Sequence, residues 1–137
     1  MIMNMDINKM DYLTYNESKA LKEFKEKLLE KYSDAEIILY GSKARGDYGE
    51  YSDIDLLIII NDNYNIDKDI SFKELEKLNF LRVNENIESE IYKIASEIDS
   101  KYDVLTSLVI NTKSFLKTNL VEIIPLYKNI EKEGIAV

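Results

Sequence analysis

Two aspartates separated by one residue, Asp53 and Asp55, stand at the start of the run Ile54-Asp55-Leu56-Leu57-Ile58-Ile59-Ile60. On an extended strand, positions two apart project from the same face, which sets the two carboxylates side by side. Ionised carboxylates that close repel unless a cation lies between them. Ile54, Leu56, Leu57 and Ile58 are apolar, so the strand is expected to be buried on both faces. An unpaired charge in such surroundings costs several kcal/mol. A divalent-metal site at the strand's start accounts for the pair. Two solvated turn aspartates at an exposed strand end would account for it as well. Any such metal has to be held by oxygen, because the 137 residues include no histidine and no cysteine. That absence also removes disulfides and every Ser-His-Asp arrangement. Oxygen ligands alone point to Mg²⁺, Mn²⁺ or Ca²⁺.

Upstream, Ile37-Ile38-Leu39-Tyr40 leads into Gly41-Ser42-Lys43-Ala44-Arg45-Gly46-Asp47. Gly41 permits positive φ or close backbone approach. Ser42 offers a hydroxyl and a backbone N–H at an expected helix N-terminus, a geometry that binds phosphate oxygens. Lys43 and Arg45 add positive charge. An ordinary strand–turn–helix joint, with Ser42 as N-cap, is the plainer explanation of the turn taken alone. A phosphate cradle and a two-carboxylate site on successive elements are together hard to attribute to chance.

Positioning these groups requires a sheet. A helix is expected from Thr14, where Thr14-Tyr15-Asn16-Glu17 fits a capping box, to about Lys31, with Ala20, Leu21, Phe24, Leu28 and Leu29 as its apolar face. Residues 37–40 read as a short buried strand, 42–46 as a turn opening a short helix, and 53–60 as a second strand. Residues 49–52 and 61–69 read as loops. Two helical stripes follow, Phe72, Leu75, Leu78, Leu81 and then Ile87, Ile91, Ile94, Ile98. Residues 104–110 are β-branched enough for a third strand. Thr112 is placed to cap a helix over 113–117, and a last helix runs over 125–133 with Gly134 as its stop. The expected fold class is α/β (α+β), a small mixed sheet with helices packed mainly on one face. One domain over residues 1–137 is expected, with 1–12 as a loose N-terminal arm.

Gly41-Ser42, ten intervening residues and Asp53-x-Asp55 resemble the signature of the DNA-polymerase-beta-like nucleotidyltransferase superfamily. The fuller string, continued through Ser52-Asp53-Ile54-Asp55-Leu56, resembles its minimal nucleotidyltransferase (MNT) branch, as does the segment from Pro125-Leu126-Tyr127 to Glu133-Gly134. The resemblance is strongest over residues 37–60 and implies the polymerase-beta type of sheet. It implies that Gly41 and Ser42 hold the β- and γ-phosphates of a nucleoside triphosphate, with ATP as the expected donor. Asp53 and Asp55 would ligate one or two Mg²⁺ (or Mn²⁺) ions while a hydroxyl attacks the α-phosphorus in line, releasing pyrophosphate. Arg45 would steady the phosphates or pair with Asp47 or Glu50, and Lys43 reads as a solvated helix residue. The family pattern usually adds a third carboxylate on the neighbouring strand. Within residues 104–110 the only polar side chains are Thr106 and Ser107, so Asp103, just before the strand, is the candidate base and metal ligand. A turn aspartate is the alternative there.

The net charge of −8, from 26 acidic and 18 basic residues, disfavours a long nucleic-acid substrate. No apolar run spans a membrane and no signal-peptide pattern opens the chain, so a cytoplasmic location is expected. Larger members of the resembled superfamily present the acceptor on a further helical domain. This length leaves no room for one, so the acceptor is expected on another protein or another subunit. The minimal branch is similar to antitoxins of HEPN/MNT toxin–antitoxin pairs, which makes a HEPN-type toxin the expected partner and transfer of AMP to its hydroxyl the expected reaction. Two other readings are a non-catalytic antitoxin that binds its toxin, and a small-molecule nucleotidyltransferase of the aminoglycoside-modifying type. Among the ten tyrosines, Tyr40, Tyr48 and Tyr51 read as core or rim residues, with self-modification at one of them as the alternative.

Overall fold

The computed structural model describes residues 12–47, 52–62 and 83–137. Residues 1–11 of the expected arm over 1–12, Tyr48, Gly49, Glu50, Tyr51, most of the loop over 61–69 and the stripe Phe72, Leu75, Leu78, Leu81 lie outside the described residues. Helix α1, Tyr15–Lys31, begins with the capping box legible in the sequence. The Glu17 N–H donates to Thr14 Oγ1 at 3.1 Å, and the Thr14 N–H donates to Glu17 Oε1 at 2.9 Å. These bonds satisfy N–H groups that no helical carbonyl can reach.

Four strands form one sheet: β1 Glu36–Tyr40, β2 Ile54–Ile60, β3 Thr106–Thr112 and β4 Ile135–Ala136, in the order β3-β2-β1-β4. β1 pairs antiparallel with β2 and β4, whereas β2 and β3 run parallel. Parallel neighbours need a crossover, and the one between β2 and β3 carries α3, Glu85–Tyr102, whereas the short helix α2, Ser42–Arg45, lies between β1 and β2.

The sheet is buried on both faces, as the unbroken apolar run of β2 requires. Ile54, Leu56, Ile58 and Ile60 point toward α1 and α3, packing with Phe24, Leu28, Ile91 and Ile98. Leu57 and Ile59 point the other way, toward Ile38, Tyr40, Tyr127 and Ile130. The two long helices thus share one face, as expected. The second face is covered by short helices α4 (Lys113–Leu116), α5 (Leu120–Ile123) and α6 (Pro125–Glu133). Thr112 caps α4 by accepting from the Phe115 N–H at 3.1 Å, and Pro125 occupies the first turn of α6.

The start of β3 and the conformation at the end of α6 depart from expectation. β3 starts at Thr106 rather than at residue 104, because Asp103 adopts a left-handed conformation (φ 53°) and the Val104 N–H donates back to Asp99 O at 3.1 Å. The chain is still capping α3 there. Gly134 does end α6, yet its φ of −66° is ordinary. Its lack of a side chain matters sterically: a Cβ would lie 2.8 Å from Ile38 Cγ2. Gly134 lets the chain lie against β1 and enter β4.

Candidate active site

Antiparallel pairing brings the end of β1 to the start of β2, where Tyr40 is the ladder partner of Asp55. Gly41 follows with φ 76° and ψ −159°, a backbone region open to glycine and costly for other residues. A Cβ on Gly41 would overlap Asp55 Oδ2 and lie 3.2 Å from Asp55 Cγ. The turn therefore packs directly on the second carboxylate of the pair. Asp55 lies on the same side of β2 as Leu57 and Ile59 by strand alternation, and Asp53 is half-buried just before the strand.

Burial foremost, then the neighbouring charge of Asp53, raises the Asp55 carboxyl above its ordinary value; Arg45 acts in the opposite sense and Glu133 adds to the rise. An ionised Asp55 is thus short of positive charge, which suits a bound cation. The Tyr40 phenol is pushed up to about 12, first by burial and then by Asp55. Tyr40 is 9% exposed, so it forms a neutral wall of the site and is a poor acceptor for self-modification.

The two basic residues of α2 have different fates. Lys43, expected in solvent, is 4% exposed. Its Nζ stands 3.0 Å from Glu17 Oε2 and 3.2 Å from Oε1. One carboxylate thereby completes the capping box of α1 and anchors α2 beneath the Gly41-Ser42 turn. Arg45 lies on the surface, and of its two expected roles the structure displays the pairing. Its Nε donates to Asp47 Oδ1 and Oδ2 at 3.2 and 3.1 Å. Its Nη1 donates to Glu133 Oε1 and Oε2 at 2.9 and 3.0 Å. Glu133 Oε1 also accepts from the Gly41 N–H at 3.1 Å.

The fold brings Gly41, Ser42, Arg45, Asp53 and Asp55 to one end of the sheet. Asp103 is exposed at the left-handed cap of α3, just ahead of β3. The β3 residue directly beside Asp55 is Ser107. Asp99, in the last turn of α3, is a second acidic residue whose carboxyl is raised in part by Asp53. Burial is the larger cause, and hydrogen bonds from Thr106 oppose it. Asp99 Oδ2 accepts from the Thr106 N–H at 3.2 Å and from Thr106 Oγ1 at 3.1 Å, pinning the start of β3. Among the described residues no group of three or more acidic side chains is close enough to hold a metal. Two carboxylates still fit Mg²⁺, which commonly takes one or two from protein and the rest from water and substrate phosphates.

Glu133 and Asp99 escaped the sequence reading as site neighbours. Both lie in the last turn of a helix, where the dipole disfavours negative charge, and that misplacement is the signal that could have marked them. A cavity of about 490 Å³ lies elsewhere, at the opposite end of β1, bordered by Lys25, Leu29, Glu36, Lys113 and Val137.

A small mixed sheet that sets a glycine–serine turn against paired aspartates is the arrangement of a nucleotidyltransferase. The chain belongs to the nucleotidyltransferase domain family, whose sequence profile matches residues 21–136. It is similar to two proteins of Methanocaldococcus jannaschii, both named provisionally as protein adenylyltransferases. One is 46% identical over 77 residues, covering 55% of this chain and 76% of the relative. The other is 35% identical over 109 residues, covering 78% and 90%. No helix among the described residues is long and apolar enough to cross a membrane.

Proposed function

We propose that this chain transfers a nucleotide, AMP from ATP, to a hydroxyl on a partner protein in a reaction that requires Mg²⁺ or Mn²⁺. The observation that carries this reading is the packing of Gly41 on Asp55, which joins a phosphate-binding turn to a carboxylate pair. Asp53 and Asp55 supply the hard oxygen donors for the ion, and their mutual repulsion favours a cation between them. The metal's contribution is to neutralise charge on the triphosphate and orient it for in-line attack. Gly41 and Ser42 hold the β- and γ-phosphates through backbone N–H groups and the Ser42 hydroxyl. Arg45 balances their charge from the rim. Asp103, exposed just ahead of β3, is the proposed acceptor of the incoming hydroxyl's proton.

The names of the two relatives support a protein acceptor, and the net charge of −8 argues against a polyanionic one. Resemblance to the minimal branch supports a cytoplasmic antitoxin whose partner is a HEPN-type toxin. The test incubates this chain and its co-encoded neighbour with Mg²⁺ and ATP, beside an Asp53→Asn/Asp55→Asn variant. Mass spectrometry is expected to find AMP on the neighbour with the wild-type chain only. An unmodified neighbour that both chains still neutralise would refute transfer and leave a binding antitoxin.

A further inference from the structure

The donors that a nucleotide's phosphates need are engaged by a carboxylate of the chain itself. Glu133 Oε1 takes the Gly41 N–H at 3.1 Å and Arg45 Nη1 at 2.9 Å, while Oε2 takes the same Nη1 at 3.0 Å. Backbone N–H and guanidinium groups serve carboxylate and phosphate oxygens by the same charge-assisted geometry. We propose that Glu133 is an internal anion that closes the phosphate cradle, so that a metal-bound triphosphate binds only by displacing it from Gly41 and Arg45. This inference rests on the nucleotide site proposed above and adds a gate to it.

Three features of the fold support a gate over a chance contact. The backbone that carries Glu133 is fixed. Tyr127 and Ile130 of α6 are buried, Gly134 lies against Ile38, and Ala136 and Ile135 pair with Ile38 and Leu39 of β1. Only the Glu133 side chain has to move. Arg45 is held independently by Asp47 through Nε, so its guanidinium stays in place when Glu133 leaves. The Nη1 edge then becomes free for a phosphate oxygen. Finally, a glutamate at the last position of α6 opposes the helix dipole, so its attraction to Gly41 and Arg45 has to outweigh that penalty.

Displacement lowers the apparent affinity by the fraction of molecules in which the cradle is open. Weak anions such as orthophosphate compete poorly with a tethered carboxylate, whereas a triphosphate with its cation makes several contacts at once. Occupation of the cradle thereby selects for polyphosphates.

The test is calorimetric titration with Mg²⁺ and a non-hydrolysable α,β-methylene ATP analogue, comparing wild type with Glu133→Gln and Glu133→Asp. Melting curves verify folding of each. Glu133→Gln cannot accept both guanidinium bonds and is expected to bind the analogue about tenfold more tightly. Glu133→Asp keeps the charge but shortens the arm, and about threefold tighter binding is expected. Tightening in Gln alone would show a simple charge effect and overturn the gate. Unchanged or weaker binding in both variants would overturn it too, and assign Glu133 to holding the turn in shape. Should Gln fail to fold, the Asp variant decides by the same criterion. Absence of binding by wild type and variants alike would instead remove the nucleotide site, and the gate with it.

Discussion

Replacing Gly41 with alanine tests whether the turn sets the position of the carboxylate pair. At φ 76° and ψ −159°, a side chain costs on the order of 1–3 kcal/mol in backbone strain. The new methyl would also overlap Asp55 Oδ2 and lie 3.2 Å from Cγ and 3.3 Å from Cβ of the same residue. Relief requires the carboxylate to swing away by about 1 Å, and a misplacement of that size in a reacting geometry costs about 10²-fold in rate. The Gly41 N–H survives the substitution, so the loss falls on Asp55 and its proposed metal rather than on the number of proposed phosphate donors. Transfer of labelled nucleotide and Mn²⁺ affinity by electron paramagnetic resonance are the readouts, with melting curves beside them. Transfer should fall by about 10²-fold, with weaker Mn²⁺ binding and a stability loss of about 1–3 kcal/mol. Gly46→Ala is the control. Its φ is 89° and its Cβ would meet the Tyr12 ring at 2.6 Å, so it should cost comparable stability while leaving transfer near wild type. Wild-type transfer and Mn²⁺ affinity in Gly41→Ala would refute the reasoning.

Three further outcomes follow from particular contacts. Lys43→Met strands a Glu17 carboxylate whose side chain is 10% exposed. Thermal unfolding should show a loss of about 3–5 kcal/mol, partly recovered in Glu17→Gln/Lys43→Met; equal losses in the two would contradict a buried ion pair. Because the folded Asp55 carboxyl is raised above 3.8, its ionised form destabilises the metal-free protein once pH exceeds the folded value. Asp55→Asn should therefore melt higher than wild type at neutral pH in chelator. That advantage should shrink as pH falls through the folded value toward 3.8, where both folded and unfolded Asp55 gain a proton; a lower melting point in Asp55→Asn would contradict the sign. Asp103→Asn, whose side chain tolerates a left-handed backbone, should lower kcat by about 10²-fold with unchanged Mn²⁺ affinity. A kcat close to wild type would remove Asp103 from the reaction.

What was legible in the sequence was local. The Thr14–Glu17 capping box, Thr112 as a cap and Pro125 at the start of α6 each depend on residues within one helical turn, and each stands where it was read. The helical stripe Ile87, Ile91, Ile94, Ile98 likewise became the buried edge of α3, with Ile91, Ile94 and Ile98 in the core. The local geometry at Gly41 and Asp55 was legible for a related reason: the strand alternation around Asp55 and the glycine before Ser42 state their own conformation. Long-range partners were not. Nothing near Lys43 announces Glu17, and nothing near Gly41 announces Glu133, which is 92 positions away. β4 is too short, at two residues, for any period to show. The late start of β3 reflects the capping turn at Asp103, a backbone choice made by an aspartate where glycine would have signalled it.

The most direct measurement of the proposed nucleotide site is the fate of the phosphates of ATP. ATP labelled at either the α- or the γ-phosphate is supplied with Mg²⁺, this chain and its partner protein, and protein-bound label and pyrophosphate are followed together. Label is expected on protein from the α position only, matched by pyrophosphate, and lost in a folded Asp53→Asn/Asp55→Asn variant. Label from the γ position, or undiminished α transfer by that variant, would contradict a nucleotidyl-transfer site built on Gly41-Ser42 and Asp53/Asp55.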